Sequence, residues 1–246
     1  MDRGKIEMDL DDVSITIPAF NEEKRLGAFL EELIAYAEKS QGQYEIIVVD
    51  DGSTDRTSDL ARRYQERYER LRLLSIRKNQ GKGEAVRRGM LHSQKPVRVF
   101  MDADGSFGPK ELERLFSHIR DGQDIVIANR FVPESVTDYR EGVSRKIMRY
   151  VFNALVRCIL FDGIRDVQCG FKMFRGEVAN RLLPQTKIKG FGLDLEVLYL
   201  AKRMHFGVQS VPVCYVHREG SSVRVWRDTL KLFVNIFQIR WWHKRR

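Results

Sequence analysis

Short apolar runs alternate with longer segments of helical period through the first half of the chain. VSITI at 13–17, EIIVV at 45–49, the run 71–76, VRVFM at 97–101 and DIVIANR at 124–130 read as strands, several of them apolar at consecutive positions, as in a parallel sheet buried on both faces. Pro18 is expected to stop the first strand. Residues 21–40 place Leu26, Leu30, Leu33 and Ala37 on one face of a helix, and residues 55–68 form a second helix capped by Thr54 or Asp55. KNQGKGEAVRRGM leads from a glycine-bearing loop into a third, and GPKELERLFSHIR carries Pro109 near the first turn of a fourth. The order βαβαβαβαβ predicts an α/β fold, a mostly parallel, doubly wound sheet with flanking helices on both faces.

The second half is less regular. Residues 144–161 put Ile147, Tyr150, Val151, Ala154, Leu155 and Cys158 on one helical face, with Arg145, Lys146, Arg149 and Arg157 around the rest. Interfacial helices and core-packed helices with a basic outer side share that pattern. RDVQCGFKMFR is a short extended segment that sets Arg165, Lys172 and Arg175 around Gly170. In the helix FGLDLEVLYLAKRM, Asp194 and Glu196 lie about 200° apart and cannot face one site. Asp194 is assigned to the pocket, its other role being a helix-start carboxylate. After the strand-like VQSVPVCYV, Leu230, Phe233, Phe237 and Trp241 recur at helical spacing opposite Arg227, Lys231, Asn235 and Gln238. This C-terminal amphipathic helix, 225–246, ends in HKRR and suits an anionic membrane interface, packing on the domain, or a partner chain.

Candidate chemistry gathers where strands end. In open α/β sheets ligands collect at the carboxyl ends of strands, and PAFNEE, DDGSTD and the D-A-D of DADGS all follow strands here. Carboxylates after the first two strands can accept hydrogen bonds from a base N–H or a ribose hydroxyl. Asp102 and Asp104 are hard oxygen ligands of the kind Mg²⁺ or Mn²⁺ shares with a diphosphate, although Asp-Gly also serves plain turns. Lys82, at a loop-to-helix junction, can join backbone N–H groups on an anion, and Lys172 or Arg130 can hold donor or acceptor phosphates. A P-loop and a G-x-G-x-x-G fingerprint are both missing, which argues against ATPases, GTPases and dinucleotide enzymes.

Charge narrows the partners. A net charge of +9 suggests nucleic acid, an anionic membrane or a phosphorylated substrate. Without an RNP-like strand or a zinc finger, and with acidic strand ends that would repel a phosphate backbone, nucleic acid is not expected. Cys158, Cys169 and Cys214 lack C-x-x-C spacing, indicating neither a disulfide framework nor a zinc site and fitting a reducing cytosol. His217 has no second histidine at metal-site spacing. The start of the chain has no apolar signal region, and no apolar run approaches the roughly 18 residues of a membrane span, so neither secretion nor spanning is expected.

In their order and separations, PAFNEE, VVDDGSTDRT, NQGKGEAVRRGM, DADGS, IANR and QCGFKMF resemble the family 2 glycosyltransferases of GT-A fold. Within that family the chain is most similar to the polyprenyl-phosphate sugar synthases that make dolichyl-phosphate glucose or mannose. The resemblance spans about residues 13–224 and implies a GT-A domain over 1–224 followed by the amphipathic helix. It implies that Pro18, Phe20, Glu22, Asp50 and Asp51 cradle base and ribose, with Lys82 also on the donor. Asp102 would contact the nucleotide side, and Asp104 would be the principal ligand of Mg²⁺ or Mn²⁺ and a catalytic residue alongside Asp194 and Arg130. Ser222 and Arg224, in HREGSSVR, would meet an acceptor phosphate together with Lys172. Ser106 stands where many mannosyl-phosphate synthases have glutamine; a hydroxyl is the poorer ligand, and the DADG form is more like the glucosyl branch.

The implied activity is inverting transfer of a hexose, from UDP-glucose or GDP-mannose, to a polyprenyl phosphate by an enzyme peripheral on the cytoplasmic membrane face. A phosphate monoester, with a second pKa of about 6, is mainly dianionic at neutral pH and needs no base. Two other functions fit the same residues: transfer to a sugar hydroxyl with Asp194 as base, and a non-catalytic nucleotide-sugar-binding module.

Overall fold

The computed structural model describes residues 12–39, 44–137, 142–218 and 225–244. Its first half follows the alternation in the sequence: β1 (Val13–Ala19), α1 (Leu26–Lys39), β2 (Glu45–Asp50), α2 (Thr57–Arg67), β3 (Leu71–Ser75), α3 (Lys82–His92), β4 (Val97–Met101), α4 (Lys110–Arg120) and β5 (Ile125–Asn129). Then come β6 (Val136–Thr137), α5 (Val143–Ile159), β7 (Phe171–Arg175), α6 (Gly176–Leu182), α7 (Leu193–Arg203), β8 (Val208–Pro212), β9 (Cys214–Tyr215) and α8 (Val225–Trp242). Seven strands form one sheet in the order β3-β2-β1-β4-β7-β5-β8, while β6 and β9 pair separately. Every pair in the large sheet is parallel except those made by β7, which runs antiparallel between β4 and β5. The α/β, mostly parallel sheet is as expected; the position of QCGFKMF inside it is new.

Alternation along the strands sorts the core into two layers. Ile15 and Ile17 of β1, Val97, Val99 and Met101 of β4, and Phe171 and Met173 of β7 pack with Leu26, Leu30 and Leu33 of α1 and Leu112 and Leu115 of α4. Phe100, Ile125, Ile127 and Phe174 point the other way, toward Val86 and Met90 of α3, Leu195 and Leu198 of α7, and Ile236 and Ile239 of α8. Lys172 shares the parity of Phe174, so its side chain enters the second layer; it is 0% exposed.

Some local expectations need correction. Pro18 does not end β1, which pairs on through Pro18↔Val49 and Ala19↔Asp50. A proline fits there because pairing on the β4 side stops at Thr16↔Phe100, so no ladder donor is needed beyond it. The first helix begins at Leu26 rather than residue 21, since residues 21–25 turn instead, with Arg25 and Leu26 N–H both donating to the Glu22 carbonyl. Asp55 does meet the start of α2, through Thr57 N–H to its Oδ1 at 3.0 Å.

Neither amphipathic helix buries the stripe its sequence suggests. On α5, Phe152 and Val156 are buried while Ile147, Tyr150 and Val151 are exposed. On α8, Ile236 and Ile239 are fully buried, and Phe233 meets Phe152 edge-on with ring centroids 5.5 Å apart. Leu230, Val234, Phe237 and Trp241 stay exposed. The C-terminal helix is therefore apolar on both sides, one seated on the domain and one turned outward. No helix among the described residues is long and apolar enough to cross a membrane.

Candidate active site

The loops after β1 and β2 are fastened to each other. Asn21, in the left-handed region at φ 56°, donates its N–H to Ser53 Oγ (2.9 Å) and accepts from Thr54 N–H (2.8 Å). Glu22 N–H donates to Thr57 Oγ1 at 2.7 Å. The Glu22 carboxylate takes both guanidinium bonds of Arg25, at 2.5 and 2.7 Å. Burial, with Asp104 and Asp102 nearby, pushes the Glu22 carboxyl up although Arg25 pulls the other way. Sequence reasoning missed Asn21 and Arg25; the ability of Asn to adopt positive φ was the available signal.

The paired carboxylates after β2 divide their work. Asp50 is buried and accepts Ser53 N–H at 3.0 Å. Asp51 spends both oxygens on the next loop, accepting from Gln80 N–H (2.8 Å) and Gly81 N–H (2.7 Å). It thus shapes the entry to α3. Gly81 sits at φ 107°, and a β-carbon there would lie 2.6 Å from the Lys189 carbonyl oxygen, so glycine lets α3 start against the segment 187–192.

At the end of β4, Asp102 and Asp104 diverge. Asp102 N–H donates to the Gly170 carbonyl (3.1 Å), and its carboxylate lies over the Gly170 α-carbon, where an added β-carbon would fall 1.9 Å from Oδ2. Lys82 Nζ stands 2.5 Å from Asp102 Oδ1. Asp104 Oδ1 accepts Ser106 N–H at 2.9 Å, a tight Asx-type turn. The Ser106 hydroxyl is buried against the Tyr215 phenol. Among the described residues no cluster of three or more His, Cys, Asp or Glu could hold a metal alone. Two carboxylates with a hydroxyl nearby suit Mg²⁺ or Mn²⁺ in the manner typical of nucleotide enzymes, where substrate phosphates complete the shell.

A chain of alternating charge runs inward from this point. Lys82 feels Asp102, Asp194 and Asp104, which together hold its ammonium well above the ordinary lysine range against the opposing effect of burial. Asp194, in the first turn of α7, receives the ammonium of Lys172, which also donates to the Cys169 carbonyl. Lys172 is thus fully enclosed and already partnered, and Arg175 is equally committed, donating to the Ile119 carbonyl in the last turn of α4 and to the Gln123 carbonyl just after it. Glu196 points away from Asp194, accepting the Lys187 and Ile188 N–H groups and lying 2.7 Å from His243 Nε2 at the end of α8. Arg130 is clamped bidentately by buried Asp166 (2.8 and 2.9 Å) and lies over the Tyr215 ring at 5.3 Å, so it faces the site from the β9 side. Ser222 and Arg224 lie outside the described residues.

Burial, with Asp166 adding to it, pushes the Cys169 thiol up to about 12, whereas Cys158 and Cys214 are exposed. Iodoacetamide at pH 8 is expected to modify Cys158 and Cys214 of the folded protein and to reach Cys169 only after denaturation. Intact-mass analysis followed by peptide mapping checks this; native modification of Cys169 would contradict its enclosure.

The profile of glycosyl transferase family 2 matches residues 14–183, spanning β1 to the end of α6 and all the strand ends just described. This chain belongs to glycosyl transferase family 2. The family 2 glycosyltransferase is 33% identical over 241 residues to the dolichyl-phosphate beta-glucosyltransferase of Homo sapiens, covering 93% of this chain and 74% of that protein. It is 28% identical over 246 residues to the Saccharomyces cerevisiae protein of the same name, with coverage of 93% and 74%. Among solved structures, glucosyl-3-phosphoglycerate synthase from Mycobacterium tuberculosis in complex with UDP superposes with a TM-score of 0.67 at 20% identity, over 93% of this chain and 79% of that one. A complex of the same synthase with Mn²⁺, UDP and phosphoglyceric acid gives the same score. The likeness establishes a shared GT-A-type fold for this family 2 glycosyltransferase.

Proposed function

We propose that this chain transfers glucose from UDP-glucose to a polyprenyl phosphate of the dolichyl type, with inversion at the anomeric carbon and a divalent cation on the donor diphosphate. The observation that carries the reading is the state of Asp194. Its carboxylate is bound by the buried Lys172 ammonium, with Lys82 close by, which suits a group that orients a sugar rather than one that collects a proton. An acceptor that arrives as a phosphate dianion needs no such collector. One phosphate oxygen forms the bond to the anomeric carbon as the bond to the β-phosphate oxygen breaks, and UDP leaves with that electron pair. The cation would be held by Asp104, Asp102 and Ser106 and would neutralise charge on the departing diphosphate. Lys82 adds a fixed positive charge next to Asp102, and Arg130, held by Asp166, lies over the ring of Tyr215, whose phenol neighbours Ser106 and Asp104. The names of the relatives support glucose and dolichyl phosphate, and the DADG form agrees with them.

Purified protein given Mg²⁺ or Mn²⁺, a short polyprenyl phosphate in detergent and labelled UDP-glucose is expected to place label in an acid-labile lipid phosphate, with GDP-mannose giving little. Asp194→Asn is expected to keep measurable turnover. Loss of all activity in Asp194→Asn, or label appearing only on hydroxyl acceptors such as 3-phosphoglycerate, would replace the phosphate acceptor with a base-assisted hydroxyl one. Donor binding without turnover on any acceptor would leave a binding module.

The acceptor's chemistry also accounts for the outward stripes of α5 and α8. Ile147, Tyr150 and Val151, with Leu230, Val234, Phe237 and Trp241, are large apolar side chains left in water, and both helices carry basic residues beside them. We read them as the surface that rests on an anionic leaflet. Burying one such side chain gains roughly 1.5–3 kcal/mol, so the double substitution Phe237→Asp/Trp241→Asp is expected to cut flotation with phosphatidylserine vesicles by well over about tenfold. Both positions are exposed, so the fold should persist; undiminished flotation would remove α8 from the membrane surface.

A further inference from the structure

A cavity of about 600 Å³ lies between the start of α3, the segment 187–192 and the inner edge of α8. Lys82 forms part of its wall and also reaches the reaction centre, 2.5 Å from Asp102 Oδ1. Three more lysines line it, Lys187, Lys189 and Lys231, and among the described residues no carboxylate does. Lys187 Nζ stands 5.7 Å from the centre of the Trp242 ring, and Lys189 Nζ donates to Gln80 Oε1 at 3.1 Å. The remaining wall is mixed, with the amides Asn79, Gln80, Asn235 and Gln238 beside apolar side chains. Phe191 and Trp242 lie within it, and Leu230 and Val234 carry it out to the exposed stripe of α8.

A ligand matching this shape has an anionic head and an apolar tail that arrives from the α8 surface. We propose that the cavity seats the acceptor lipid: its phosphate among Lys82, Lys187 and Lys189, its first isoprene units against Leu230, Val234 and Trp242. The inference rests on the polyprenyl-phosphate reading above and supplies the acceptor site that Lys172, enclosed under α7, does not offer. The volume is in the roughly 300–1,000 Å³ range of small-ligand pockets, enough for the head and the start of the chain, with the rest left in the bilayer. Lys187 and Lys189 are exposed on a segment held by backbone bonds to Glu196, so altering their side chains leaves the fold's supports in place. Charge-assisted contacts to phosphate are then the main loss.

The test compares wild type with Lys187→Ala/Lys189→Ala and with Leu230→Ser/Val234→Ser. Calorimetry without donor measures binding of farnesyl phosphate, farnesol and inorganic phosphate, and steady-state assays measure the acceptor and donor KM. Farnesyl phosphate is expected to bind wild type at least about tenfold more tightly than farnesol or inorganic phosphate. Each double substitution is expected to raise its Kd and the acceptor KM by about tenfold or more while the donor KM stays put. Unchanged acceptor KM in both variants, with transfer intact, would overturn the site while leaving the function standing. Inorganic phosphate binding as tightly as farnesyl phosphate would reduce the cavity to an anion site and also overturn the proposal. If no polyprenyl phosphate is ever glycosylated but both variants lose farnesyl phosphate binding, the reaction assignment fails and the lipid-phosphate site stands.

Discussion

Asp104→Ala is expected to abolish turnover, by at least about a thousandfold, without unfolding the protein. Asp104 follows the buried strand β4 and, among the described residues, its one hydrogen bond accepts Ser106 N–H at Oδ1, so its removal loosens a turn and leaves the core intact. What it takes away is the one carboxylate of the pair with no lysine upon it, since Asp102 Oδ1 is already held by Lys82. With only Asp102 and Ser106 left, the protein offers too few oxygens to fix a cation on a diphosphate. Metal-dependent UDP binding is expected to weaken in parallel, and EDTA treatment of wild type should reproduce the loss, reversed by added Mg²⁺ or Mn²⁺. Thermal melting separates the effects: a midpoint close to wild type with no turnover is the expected pair of results. Retained turnover in Asp104→Ala would rule out the D-A-D pair as the metal's seat.

The parts of this picture that were legible in the sequence are those carried by long-range pattern. Apolar runs such as EIIVV and VRVFM can only be strands buried on both sides, and the helices between them fix a parallel sheet. The face formed by Leu26, Leu30, Leu33 and Ala37 is buried as its spacing requires. FKMFR was harder: it reads as a short extended segment, but five residues with lysine at the second position do not say which sheet it joins. Only its pairing with β4 and β5 makes Lys172 an interior residue. Its parity with Phe174 held the clue, but using it requires knowing that the segment is a strand. Asp50 and Asp51 present the same difficulty, since adjacent carboxylates look alike until the loop that consumes one of them is placed. For α8 the obvious stripe was found and the second one overlooked: Ile236 and Ile239 fill the seam against the domain while Phe237 and Trp241 mark the outside.

The second large effect is expected from a residue with no side chain at all. Gly170→Ala should disable the enzyme nearly as thoroughly as loss of a metal ligand. The backbone of Gly170 needs no positive φ, so alanine is not excluded by conformation. It is excluded by its neighbour, because the new β-carbon would lie 1.9 Å from Oδ2, 2.3 Å from Cγ and 2.7 Å from Oδ1 of Asp102. No rotation of a methyl group relieves such a contact, so the Asp102 carboxylate must swing off its seat, taking with it the ion pair to Lys82. Displacing a reacting constellation by about 1 Å costs on the order of a hundredfold in rate, and overpacking a tight site costs about 1–3 kcal/mol of stability. Coupling to Asp102 distinguishes this from general damage. In an Asp102→Ala background the crowded carboxylate is gone, so adding Gly170→Ala should cost almost no further stability, a clear departure from additivity in chemical denaturation. If Gly170→Ala destabilises both backgrounds equally, the glycine serves the packing of β7 and has no special relation to Asp102. If the penalty vanishes only when Asp102 is removed, the glycine in QCGF exists to give that carboxylate its place.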